Sequence, residues 1–155
     1  MITTVDVETS WQRNENGGYD PSPFHKDNIL VSVGLNSYFG DEYYFTNHSE
    51  RVDSGCAIKI QETLDKTTLL VGHNIKFDLM WLLESGFKYS GRVYDTMLGE
   101  YILNKGIRKS LTLEMCCRRR KIGSKDSSVK EWMDRGVSFE NILVDIVEEY
   151  GKIDV

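Results

Sequence analysis

The chain predicts an α/β domain with a mixed sheet and helices on both of its faces. Three observations predict it. Alternating, β-branched segments before residue 47 read as an antiparallel run of strands. Strand and helix patterns then alternate from residue 54 to residue 104, and the remainder reads as helix. A run of adjacent strands followed by alternation needs a mixed sheet covered on both sides. The 155 residues suit one domain, 1–155, with a sizeable core, and 40% hydrophobic with 28% charged residues is an ordinary globular composition.

The elements follow in order. Residues 2–8, Ile-Thr-Thr-Val-Asp-Val-Glu, alternate and read as a strand. Residues 10–28 are rich in Asn, Gly, Pro and Ser and form a long loop, of the kind that is usually functional or mobile. Residues 29–34 and 42–46 are two further strands joined by a turn from Asn36 to Asp41. Ala57, Ile58 and Leu64 give residues 54–65 a helical spacing. A strand at 67–72, an apolar helix at 75–85 and a short strand at 92–95 come next. Helices are expected at 96–104, 110–121 and 140–150, with Ser110 as the cap of the second. Between them, 122–139 holds a short helix around Val129–Arg135, and Trp132 and Met133 are core candidates.

Bulk properties exclude some functions. No apolar run is long enough to span a membrane, and the N-terminus has no basic-then-apolar signal pattern, so a cytoplasmic protein is expected. Cys56, Cys116 and Cys117 are odd in number and lack metal-site spacing, which suits a reducing compartment. A net charge of −5 argues against a protein that coats nucleic acid. It is compatible with an enzyme acting on nucleic acid, whose metal-holding carboxylates count as negative until metal binds.

Three acidic stretches stand out. Asp6 and Glu8, two apart on a strand, project to the same side, and on a central strand they need a cation or a proton to coexist. On an edge strand they would be a solvated acidic face. Asp78 is the one charge in Phe77-Asp78-Leu79-Met80-Trp81-Leu82-Leu83 and shares a helical stripe with Ile75, Leu79 and Leu82. It needs a partner or a metal if buried, or else it is a first-turn aspartate favoured by the helix dipole. Ile142, Ile146, Tyr150 and Asp154 fall at steps of four, although a helix stopping at Gly151 would leave Asp154 in a tail. Taken jointly, four carboxylates and a phenol suit two hard cations, Mg²⁺ or Mn²⁺, set to stabilise the attacking and leaving oxygens of a phosphodiester displacement.

Asp-x-Glu-Thr at 6–9, Asn-x-x-Phe-Asp at 74–78 and Tyr-x-x-x-Asp at 150–154 resemble the three exonuclease motifs of the DEDD superfamily, tyrosine subclass. The intervening Val93-Tyr94-Asp95-Thr96-Met97-Leu98 and Ser110-Leu111-Thr112-Leu113 are similar to the proofreading domain of family A DNA polymerases, notably phage versions. The resemblance covers essentially the whole chain. It implies a ribonuclease H-like fold with a five-stranded mixed sheet and 3′→5′ exonucleolysis of single-stranded DNA or DNA 3′ ends, releasing nucleoside monophosphates. It implies that Asp6, Glu8, Asp78 and Asp154 bind two divalent cations. Tyr150 would orient the attacking water, and Thr9 and Asn74 would lie near the terminal nucleotide. A DNA polymerase domain or subunit is the implied partner, in a bacterial or phage-infected cell. Two alternatives stand beside this reading: a non-catalytic nucleic-acid-binding or polymerase-docking module, and a 3′-5′ exoribonuclease. The chain ends one residue after Asp154, so the last turn is expected to fray, with weak metal binding and slow turnover, unless packing holds it.

Other features carry plainer readings. Arg118-Arg119-Arg120-Lys121, with Lys125, is a solvated basic face or a phosphate contact, and the first is favoured. Trp11, Tyr19 and Phe24 in the long loop either stack on bases or pin the loop to the body. His73 is read as structural.

Overall fold

Every strand of the main sheet is placed relative to the first one. The computed structural model describes residues 1–105, 107–123 and 128–155. Strand β1 spans Ile2–Thr9. The long loop that follows carries a two-stranded hairpin, β2 (Gln12–Arg13) and β3 (Tyr19–Asp20). Then come β4 (Leu30–Ser37), β5 (Gly40–Phe45), helix α1 (Cys56–Lys66), β6 (Leu69–Gly72), α2 (Lys76–Glu84), β7 (Arg92–Asp95) and α3 (Thr96–Leu103). The chain closes with α4 (Leu113–Arg120), α5 (Ser128–Asp134) and α6 (Val144–Asp154).

Among the described residues the main sheet has five strands in the order β5-β4-β1-β6-β7, antiparallel at β5-β4-β1 and parallel at β1-β6-β7. This is the expected mixed sheet, and β1 is its central strand. An edge strand with a solvated acidic face is thereby ruled out for Asp6 and Glu8. A β-bulge lies between Glu8 and Thr9, where the pairing jumps from Ser32 to Leu30. The extra residue, Val31, resets the alternation of β4, so that Val31 enters one core while Val33 and Leu35 enter the other.

The sheet separates two cores. On one face Val5, Val7, Leu35, Ile60, Leu64, Leu70, Trp81 and Leu82 pack under α1 and α2. On the other, Tyr43 and Phe45 meet Val129, Phe139, Ile142 and Val147 from α5, α6 and the connection between them. Each fully buried aliphatic side chain contributes roughly 1.5–3 kcal/mol relative to exposure. Trp132 and Met133 pack against the second core, as expected. No helix among the described residues is long and apolar enough to cross a membrane.

Several boundaries differ from the sequence reading. The turn expected from Asn36 to Asp41 shrinks to Tyr38 and Phe39, because the ladder continues out to Ser37↔Gly40. Polar, exposed ladder residues carry no alternating pattern that could reveal them. In α1 the inward stripe is Cys56, Ile60 and Leu64 at steps of four, while Ile58 points out and is 66% exposed. Helix α4 is capped by Thr112, whose hydroxyl accepts from the Met115 N–H, and not by Ser110. Residues Phe139–Asn141 form a 3-10 turn, so the last helix begins at Val144. It then runs through Gly151 without stopping there.

Within the long loop, Trp11 is buried and meets the Tyr19 ring edge-on at 4.2 Å, so these two pin the hairpin to the body. Phe24 remains exposed. Arg119 and Arg120 both pair with Glu100 of α3, at 3.3 and 2.6 Å, which ties α4 to α3. Lys125 lies outside the described residues.

Candidate metal centre

The site grows from the alternation of β1. Val5 and Val7 enter the core beneath α1 and α2, which turns Asp6 and Glu8 to the other face. The cross-strand partners there are small. Asp6 faces Gly34, which faces Tyr43 of β5, and Glu8 faces Ser32, which faces Phe45. Glu8 is buried and Asp6 half-buried, so both carboxylates lie against a wall of low polarity.

Helix α6 crosses this face. A Cβ on Gly34 would touch Val155 Cγ1 at 3.0 Å and the Gly151 carbonyl oxygen at 3.4 Å, so the missing side chain is what admits the end of α6. The result is a convergence of both chain ends: carboxylate oxygens of Asp6, Glu8 and Asp154 all lie within 4.8 Å of one another. Two oxygens trans across an Mg²⁺ at roughly 2.1 Å are about 4.2 Å apart, so this cluster fits a hard divalent cation with little adjustment. Asp154 lies within α6, and Val155 packs on Gly34. Tyr150 lies one turn earlier, half-buried, with its ring tilted against Phe139 at 6.0 Å.

Asp78 reaches the site differently. Strands β1 and β6 pair only over Ile2–Thr4, so the ladder has ended when the chain reaches Val7. The Val7 N–H donates instead to Asp78 Oδ1 at 3.1 Å. Asp78 therefore touches the backbone between Asp6 and Glu8, but it is not one of the three carboxylates that the metal-sized cluster joins. It is 3% exposed, in the first turn of α2. Burial pushes its carboxyl up to about 7, against the lowering effect of the Val7 and helix N–H groups and with a further rise from the Asp95 charge. Without a cation this group keeps its proton well above the ordinary carboxylate range.

Asn74 is exposed, at a left-handed φ of 65° in the turn from β6 to α2, a conformation that Asn tolerates better than most residues. Its N–H donates to Asp95 Oδ1 at 3.1 Å, and the same oxygen caps α3. His73 bonds Thr96 Oγ1 at 2.9 Å and donates from Nε2 to the Leu111 carbonyl at 2.6 Å, a structural tie as expected. Thr9 is buried at the bulge.

The sequence reading missed Gly34, Ser32 and Tyr43, and took Gly151 for a possible helix end. A glycine inside an apolar strand signals close backbone approach, and Gly34 carried that signal. Tyr43 carried none, since nothing local distinguishes it from Tyr44.

A family model described as a 3′-5′ exonuclease matches residues 21–155. The matched span includes Asn74, Asp78, Tyr150 and Asp154 and begins after Asp6 and Glu8. No curated protein matches the chain. Among solved structures, the family B DNA polymerase from the hyperthermophilic archaeon Pyrobaculum calidifontis is similar, with a TM-score of 0.59 and 16% identity, over 99% of this chain and 23% of the polymerase. The Aedes aegypti Nibbler EXO domain is similar with a TM-score of 0.52 and 12% identity, over 90% of this chain and 68% of that one. At these identities the likeness is one of fold, and the chain spans about a quarter of the polymerase's length.

Proposed function

The chain belongs to the family of 3′-5′ exonuclease domains, and from that premise we propose that it shortens single-stranded DNA from the 3′ end with two divalent cations, Mg²⁺ or Mn²⁺. The observation that carries the reading is the convergence of Asp6, Glu8 and Asp154 within 4.8 Å. It favours a working third motif over a non-catalytic binding module.

When bound, the cations activate the attacking water and stabilise the leaving 3′ oxygen. Asp6, Glu8, Asp78 and Asp154 would hold them. The Tyr150 hydroxyl orients the attacking water. Water adds to phosphorus, the bond from phosphorus to the 3′ oxygen breaks, that oxygen takes up a proton, and a nucleoside 5′-monophosphate leaves. Thr9 and Asn74 contact the terminal nucleotide. A DNA polymerase is the partner we assign, since the archaeal polymerase contains a region of this fold in its own chain. The resulting role is proofreading.

Digestion of a 5′-labelled single-stranded oligonucleotide tests this, with DNA and RNA arms and with EDTA as control. A ladder shortening from the 3′ end of DNA is expected. Asp6→Ala and Asp78→Ala are each expected to abolish it while the protein stays folded by circular dichroism. Full activity in either variant would remove this mechanism, and faster digestion of RNA would reassign the substrate.

A further inference from the structure

We propose that Tyr43 is a positioning residue for the metal centre: it seats α6 on the sheet so that Asp154 meets Asp6 and Glu8. The inference rests on the two-cation reading above. Tyr43 stands at the end of the cross-strand row Asp6, Gly34, Tyr43, on the same face as the carboxylates. Its ring closely approaches Gly151, where an added Cβ would lie under 3.0 Å from ring atoms and from the phenol oxygen. Gly151 directly follows Tyr150 and precedes Asp154 by less than one turn. The glycine is thus a cradle for the Tyr43 ring, and a Cβ on Gly34 would likewise meet that ring at 3.3 Å.

The phenol proton has one direction. Tyr43 Oη lies 3.2 Å from the Val147 carbonyl of α6, which can only accept, so Tyr43 donates there. Ser32 Oγ, 2.7 Å from the same oxygen, must then donate to Tyr43. The path runs from β4 to β5 to α6 with no free rotor. The burial of Tyr43, followed by the nearby Glu8 charge, pushes its phenol well up, so the donor stays protonated. The loop after β5 adds further ties to the same stretch of chain. His48 Nε2 donates to the Ile142 carbonyl at 2.8 Å, and Arg51 pairs with Glu148 at 2.8 Å. Glu148 and Ile142 lie six and twelve residues before Asp154; the Tyr43 hydroxyl bonds Val147 in the same region, but Tyr43 also sets its ring against Gly151 in the last turn.

An aromatic that merely fills the core would affect folding without a specific effect on cation binding. The test measures Mn²⁺ binding to the full chain by electron paramagnetic resonance, without substrate. The wild type is compared with Tyr43→Phe, Asp154→Asn and the double variant, and each is melted in EDTA. Tyr43→Phe is expected to melt within a few degrees of wild type yet bind Mn²⁺ more weakly, because α6 is then less firmly seated against Asp6 and Glu8. The double variant should bind no more weakly than Asp154→Asn alone, because both changes act through one ligand. Ser32→Ala, which removes the proton donor to Tyr43, should give a smaller loss with the same non-additivity. Wild-type Mn²⁺ affinity in Tyr43→Phe, or losses that add in full, would overturn the proposal. A wild-type chain that binds no Mn²⁺ would instead overturn the two-cation reading on which it stands.

Discussion

Asp78 shows at the residue scale how a group can weaken a fold in order to serve a site. Its carboxyl ordinarily loses its proton near 3.8, whereas in the folded chain burial holds the proton up to about 7. Between those values the folded state binds more protons than the unfolded state, so stability falls as pH rises. The contribution is fully present below the lower value and gone above the upper one, and it amounts to at most about 4 kcal/mol. In EDTA, urea unfolding should therefore show wild-type stability declining from pH 4 to pH 7. Asp78→Asn, which can still accept from Val7, should lack that part of the decline and be the more stable chain at pH 8. The same variant should be inactive as a nuclease. An identical pH profile for the two chains would mean that Asp78 does not titrate in this window.

At the element scale, α6 runs against its own propensities. A glycine inside a helix costs about 1 kcal/mol relative to alanine, so propensity alone favours Gly151→Ala. The Tyr43 ring occupies the space that a Cβ would need, and Tyr43 is held from both sides by Ser32 and Val147. Overpacking of this kind typically costs 1–3 kcal/mol, which exceeds the propensity gain. Gly151→Ala should accordingly lower the urea midpoint; a raised midpoint would show that the ring can move aside. The same element explains a misread boundary. A glycine late in an amphipathic pattern is ordinarily a helix end, and only the neighbour that needs its small size reveals that the helix continues.

Across the whole molecule, the cluster draws on both ends of the chain, so cation binding should be coupled to global folding. A ligand that binds only the folded state stabilises it by about 2.7 kcal/mol at a hundredfold excess over its Kd. The melting temperature should rise with Mn²⁺ concentration in wild type and rise far less in Asp154→Asn. Equal shifts in the two chains would place the bound cation elsewhere.

Much of this was legible locally. The alternation at Asp6 and Glu8, the lone charge at Asp78 in an apolar run, and the four-residue steps to Asp154 are short-range patterns. Period 2 and period 3.6 place side chains on faces without reference to the rest of the chain. Local pattern was enough for a mixed α/β sheet and for three acidic stretches in their order along the chain. Packing alone makes β1 central and leaves a gap at Gly34 opposite Asp6. It also fits Tyr43 and Gly151 together there, so that Asp154 closes the cluster while Asp78 stays against the Val7 N–H. The physical reason is that a face is set by backbone periodicity. The distance between two faces is set by the volumes of side chains far apart in sequence, and these meet only in the packed molecule.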